Sequence, residues 1–370
     1  MSSRADGPSP AYGHQQQLGG TRLVTLEDGT ERGVRAVEFR TTSGLELGVI
    51  VDRAMDVGWC RHNGRSLAWH SPTGFVAPWY RETAGLGFLR TFPGGLFVTC
   101  GLDHILFPED DPHDTYGYPG RTETQYGLHG RVANTPSILR AYGERWEDGR
   151  CTLFAEGEVR QAGGLAETLV LRRRVEVDLD GLEIRWRDEV TNEGHLATPH
   201  MLLYHLNLGA PLLDPACELH APIREVRFAT PTATGGPDEH LRFEEPRADF
   251  AEQAFSHAMA ADESGRVPVL LLNRRVAAEP WGALLSYEAA KFPYFFQWRY
   301  LAAGTYVVGL EPSTNGLTGR AGARADGELT MLEPGEQRSY DTSLEVLLGP
   351  DACDSACTRI AALTEGEPAR

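Results

Sequence analysis

No run of lysine and arginine interrupts this chain, in which 52 Asp and Glu outnumber 35 Lys and Arg for a net charge of −17. An acidic surface repels phosphate backbones and anionic lipid, so nucleic acid and membrane are not expected partners. No stretch of about 18 apolar residues occurs, and the opening MSSRADGPSPAYGHQQQLGG lacks the apolar segment of a secretion signal. The expected location is the cytoplasm. Cys60, Cys100, Cys151, Cys217, Cys353 and Cys357 are scattered, and only the last two stand close together. Without nearby histidines they make a poor metal site and read as free thiols in a reducing compartment. The sequence has no GxSxG, no P-loop, no HExxH and no GxGxxG between a strand and a helix. Serine hydrolysis and nucleotide-driven chemistry therefore have no support.

What is there is period-two patterning. Segments such as GVRAVEFRTTSGLELGVIVD, RCTLFAEGEV and PWGALLSYEA alternate apolar with polar residues between Gly, Pro, Asp and Asn. The clearest hairpin is 167–191, where Leu169, Leu171, Val175 and Val177 alternate with charges and DLDG turns the chain. Helical periodicity is scarce: 350–365 is the best candidate, with part of 247–262 a second. Alternation of strand and helix is missing, which argues against a doubly wound sheet. The expectation is all-β: a polar arm over 1–20, then one antiparallel sandwich domain over 21–370.

Three stretches carry groups capable of chemistry. In TPHMLLYHLNLGAPLL, a strand would put Leu202, Tyr204, Leu206 and Leu208 on one face and Met201, Leu203, His205 and Asn207 on the other. His205 is then either a satisfied core histidine or a general acid or base. In GTYVVGLEPSTNGLTGR, an apolar strand ends in Glu311 before a turn. A carboxylate there is either exposed at the strand end or partly buried with a raised pKa, which suits a general base. In YGLHGRVANTP, an extended 127–132 would point His129 and Arg131 the same way, and an arginine fork suits hydroxyls or a carboxylate.

Further candidates surround these. VIVDRAMDVGW brings Asp52, Arg53 and Asp56 to a strand end, and FLRTFPGGLFVTCGLDH carries Arg90, Asp103 and His104. Trp59, Trp69, Trp79 and Trp298 offer faces on which a sugar ring stacks, or are simply core. Arg53, Arg90, Arg131, Arg299 and Trp298 together predict a wall suited to a polar monosaccharide, uncharged or weakly anionic.

Five segments in order resemble the galactose mutarotase-like superfamily, the aldose 1-epimerases, and most closely a bacterial aldose 1-epimerase-like branch. They are FPGGLFVTCGL, LHGRVAN, VTNEGHLATPHMLLYHLNLG, GLEPSTNG and MLEPGEQRSYDTSLEVL, within roughly residues 30–348. VDRAMDVGW stands where galactose-type members usually carry an early Asn-Arg element. The resemblance implies a β-supersandwich acting on a monosaccharide without a cofactor. It implies that Glu311 takes the proton of the anomeric hydroxyl, that His205 protonates the ring oxygen, and that His129 hydrogen-bonds the sugar. Arg131, Arg90, Asp52, Arg53, Asn207, Trp298 and Arg299 are the remaining candidate substrate contacts. Two alternatives stay open. One is a metal-dependent isomerase or lyase with His129, His205 and Glu311 as ligands and His104 or Asp103 as a fourth. The other is a carbohydrate-binding protein without catalysis.

Overall fold

The structure, a computed structural model, describes residues 11–112 and 120–365. Of the expected N-terminal arm, residues 1–10 lie outside the described part. Residues 11–19 carry a 3-10 turn at Gln15–Gln17 that leads into the strand Gly20–Thr25.

Two large antiparallel sheets dominate. One has eight strands in the order Ile138–Glu147, Arg150–Ala162, Thr168–Asp178, Glu183–Asn192, Gln337–Leu348, Trp281–Glu288, Arg266–Asn273 and Cys217–His220. The other has seven: Ile223–Ala229, Gln253–Met259, Tyr294–Ala302, Thr305–Ser313, Thr198–Gly209 and Thr330–Leu332 form a path, and Phe97–Leu102 pairs with Thr198–Gly209. A smaller five-stranded sheet begins with Gly20–Thr25, Arg35–Arg40, Leu45–Ile50 and Asp56–His62. The expected hairpin forms with Val177 opposite Ile184.

Alternation explains why the sheets pack. Leu169, Leu171, Val175 and Val177 are buried, and they meet Leu202, Tyr204, Leu206 and Leu208 of the other sheet in one apolar core. Burial of apolar area at about 25 cal/mol per Å² is the main favourable term for such an interface. The C-terminal helix Gly349–Glu365 matches the expected 350–365, and it lays Cys353, Ala356 and Ile360 on Leu270, Leu272, Leu284 and Leu347. The second expected helix is a strand instead: Gln253–Met259 pairs with Tyr294–Ala302. Its alternating buried Gln253, Phe255 and His257 satisfy a sheet, not a helix face.

One buried network carries charge between the two large sheets. Buried Arg173 donates to Asp188 through Nε (2.7 Å) and to Asp56 through Nη1 (2.7 Å). Tyr204 Oη donates to Asp188 (2.6 Å) and Thr99 Oγ1 to Asp56 (2.5 Å). Every member of this network finds a partner, which is what lets charge sit away from water.

Candidate active site

The Thr198–Gly209 strand is buried along its whole length. On one side His205 faces Val98, and on the other the register Leu206↔Leu310 and Leu203↔Ser313 sets it across from Glu311. Both side chains lie on the face turned from the main core, above Met201, Leu203, Val98, Cys100, Phe296 and Val307. Two polar residues thus meet on an apolar floor. His205 Nε2 stands 3.2 Å from Glu311 Oε1, with only 6% and 4% of the two residues exposed. The two are not hydrogen-bonded, and His205 Nδ1, Glu311 Oε1 and Asn207 Oδ1 are buried without partners. Buried polar atoms left open in this way need a reason, and the capacity to bind a polar ligand is one.

Gly309 makes room for the pair. A Cβ there would lie 2.5 Å from Glu311 Oε1 and 3.1 Å from His205 Cε1. Burial raises the Glu311 pKa well above the usual carboxylate range, and the charge of Glu252 adds to the rise. Burial lowers His205 to about 4, partly opposed by the nearby Asn207. Each group is driven toward its uncharged form, and their separation allows one proton to pass between them.

His129 reaches the pair from a turn. Its φ of 58° is rare for a residue with a Cβ, and the turn is pinned by Gly101 N to His129 O (3.1 Å) and His129 N to Leu106 O (2.8 Å). Its ring meets His205 edge to face at 5.8 Å. Leu106 N donates to Nδ1 (3.4 Å), which leaves the proton of the neutral ring on Nε2. Burial, then His205 and His104, hold its pKa well below normal.

Trp298 closes another side, its ring 5.3 Å from His205 and its Nε1 donating to Glu252 (2.6 Å). Phe88 lies 5.1 Å from the His129 ring and Phe92 5.2 Å from His205. Asn207, on the same face as His205, donates from Nδ2 to the His205 carbonyl (2.8 Å).

The predicted arginine wall is not assembled. Arg299 follows Trp298 in a strand and therefore points to the opposite face. There it is buried and bonded to Gln253 Oε1 (2.6 Å), Glu239 Oε1 (3.0 Å) and two backbone carbonyls. Arg131 diverges from His129 because 127–132 is a turn leading into the 3-10 segment Val132–Asn134. It pairs with Glu167 beside a separate cavity of about 430 Å³. Arg90 is exposed and pairs with Glu82 at 3.1 Å. Asp52 is bound to the Arg35 backbone and guanidinium (2.8 and 2.5 Å), and Arg53 is buried against the carbonyls of Val76 and Thr91.

The alternative metal ligands are only partly gathered. His104 Nε2 is engaged by Phe107 O (2.8 Å) and Asp103 by Gln161 (2.7 Å). Among the described residues, no three His, Cys, Asp or Glu side chains converge as a ligand set.

The sequence reasoning missed Gly309, Glu252, Phe88 and Phe92. Only Gly309 carried a signal: it stands two residues before Glu311 in a strand, on the same face.

The family described as Domain of unknown function (DUF4432) matches residues 31–346. No curated protein matches by sequence. Solved structures are similar in fold. A Klebsiella pneumoniae protein provisionally described as an aldose 1-epimerase has TM-score 0.80 at 22% identity, over 93% of this chain and 87% of that one. A galactose mutarotase-like protein from Clostridium acetobutylicum has TM-score 0.59 at 13% identity, over 89% and 98%. A galactose 1-epimerase from Lactobacillus acidophilus has TM-score 0.56 at 12% identity, over 89% and 99%. The fold is that of the galactose mutarotase-like proteins.

Proposed function

The chain belongs to the family described as Domain of unknown function (DUF4432), and we propose that it is an isomerase of aldose 1-epimerase type, interconverting the anomers of a monosaccharide by acid–base catalysis at Glu311 and His205. The observation that carries this reading is the buried, open-ended pair itself: His205 Nε2 and Glu311 Oε1 at 3.2 Å, with polar atoms still unpartnered.

The chemistry follows from one proton held by two groups. Glu311, as carboxylate, accepts the proton of the anomeric hydroxyl while the electrons of that O–H form the carbonyl at C1. The bond from C1 to the ring oxygen breaks, and the oxygen takes the proton carried by His205. The free aldehyde turns about its C1–C2 bond, and reclosure in reverse delivers the other anomer. In that reclosure Glu311 returns its proton to the C1 oxygen and His205 takes back the proton of the ring oxygen's hydroxyl, so the pair ends as it began. Such assistance contributes roughly 10²–10⁴-fold, reasonable for a reaction that already runs in water.

The surrounding groups suit a sugar. His129 offers a fixed Nε2–H donor, Asn207 an unused acceptor, and Trp298 with Glu252 an aromatic face beside a carboxylate. The proposed ligand is a polar monosaccharide, with no cofactor invoked in the steps.

The test begins with melting temperatures in a panel of aldoses, ketoses and uronic acids, because binding stabilises the native state by mass action. Anomer exchange of each stabilising sugar is then followed by NMR saturation transfer, with and without chelator. Acceleration that survives chelation is the expected result. Binding without acceleration would instead indicate a carbohydrate-binding protein, and activity lost to chelator a metal-dependent isomerase.

A further inference from the structure

Arg53 is only 2% exposed and projects from a strained turn in which the next two residues, Ala54 and Met55, have φ of 53° and 60°. Its Nη1 donates to Val76 O (2.9 Å) and its Nη2 to Thr91 O (2.7 Å). One guanidinium thus closes the loop between those carbonyls, which contains the 3-10 turns Pro78–Tyr80 and Gly87–Arg90. The inner side of the loop supplies Phe88, which stacks on Phe92 at 5.1 Å beside the closing carbonyl. These are the rings that lie against His129 and His205. On its outer side the loop leaves Trp79, Tyr80, Leu86 and Leu89 exposed.

We propose that Arg53 is a positioning residue of the candidate site: by tying the two ends of residues 76–91 it holds Phe88 and Phe92 over His129 and His205 and keeps water from them. The catalytic meaning of this rests on the proton-transfer reading above; the geometry does not. A planar fork with donors at both ends spans two carbonyls in a way that a point-charge ammonium does not. The cation is costly to bury: its pKa falls to about 10, with Asp56 opposing the fall. Spending a buried charge on two loop carbonyls makes sense if the loop's position matters.

The consequence is electrostatic. His205 is faced by Glu311 from the neighbouring strand, by His129 from its turn and by Asn207 from its own strand, with Glu252 beyond Glu311. From the loop come only aromatic rings. Burial is the main cause of the depressed His205 pKa, so loosening the loop should let it rise.

Two measurements that need no sugar test this: hydrogen exchange across residues 76–91, and NMR titration of the histidines. Both are made on the wild type, Arg53→Lys and Phe92→Ala. In Arg53→Lys, exchange across 76–91 should rise roughly tenfold or more, as expected for losing one charge-assisted hydrogen bond. The Thr198–Gly209 strand should keep its protection. In both variants the His205 midpoint should move up from about 4 toward the ordinary 6.5. Uniformly faster exchange in Arg53→Lys would make Arg53 a general support of the fold, and an unmoved His205 in both variants would overturn the proposal. A protein that turns over no sugar but shows the predicted shifts keeps the positioning role and loses only the enzymatic reading.

Discussion

The two faces of the Thr198–Gly209 strand treat buried polar groups in opposite ways. Toward the core, Tyr204 donates to Asp188, Asp188 is gripped by Arg173, and His200 is held at both nitrogens, by Leu102 O (2.8 Å) and Tyr340 Oη (2.7 Å). On the other face, His205, Asn207 and Glu311 each keep an atom with no partner. The strand's own polar side chains are complete on the first face, where only the packed Trp186 Nε1 opposite Tyr204 and Thr342 Oγ1 beyond it lack partners, and open on the second. Completed networks fix a structure, whereas open ones retain free energy that a ligand can satisfy. The difference sets the candidate site apart more sharply than burial does, since the whole strand is buried.

The largest effect should come from breaking the complete face. Asp188→Ala takes from buried Arg173 one of its two carboxylates and from Tyr204 its acceptor, and should cost about 3–5 kcal/mol of unfolding free energy, read from urea denaturation. Glu311→Gln, which removes an ionisable group from an open face, should leave stability unchanged or increase it. Equal losses from the two substitutions would erase the distinction.

Next comes geometry on the open face. Gly309→Ala puts a methyl 2.5 Å from the present position of Glu311 Oε1, so the carboxylate must shift. The fold should survive, but a displacement of the order of 1 Å should cost about 10²-fold in turnover. Full activity in the folded variant would show that Glu311 need not stand where it does.

Acid should act on both faces. His200 and His205, and His257 in the Gln253–Met259 strand of the same sheet, have pKa values lowered to about 4 by burial. Unfolding restores them toward 6.5, so between these values the unfolded chain binds more protons and stability falls as pH falls. The loss is at most about 1.4 kcal/mol per pH unit for each histidine. Glu311 works in the opposite sense, since its raised pKa favours the protonated fold at low pH and loses that contribution as pH rises through its folded value. With three histidines against one carboxyl, melting temperatures should fall from pH 7 to 4, and flat or rising values would contradict this.

The smallest effect belongs to the misplaced wall. Arg90 pairs on the surface with Glu82, so Arg90→Ala should change stability by no more than about 0.5 kcal/mol and leave sugar affinity intact. A large affinity loss would return Arg90 to the site.

These contrasts also show what the sequence could reveal. Period two was enough to put Tyr204 and His205 on opposite faces, and to separate the hairpin strands at DLDG. The same rule excludes Trp298 and Arg299 from one wall, because consecutive strand residues cannot share a face. The destinations of Arg53 and Arg131 were not legible: long side chains in turns go where distant carbonyls or carboxylates await them, and Thr91, Val76 and Glu167 are distant in sequence. Glu252 and Phe92 reach the site from loops, where no periodicity announces direction. The arm-like composition of 11–19 likewise gave no hint of its 3-10 turn.

The central claim is that the open face moves a proton on a sugar. Its most direct test is anomer exchange, by NMR saturation transfer, of a sugar that raises the melting temperature, with wild type and Glu311→Gln compared at equal occupancy. Glutamine keeps the shape and loses the basicity, so binding should stay within a few-fold while turnover falls by roughly 10²–10⁴. Unchanged exchange in Glu311→Gln, or no acceleration by the wild type for any sugar it binds, would contradict the account.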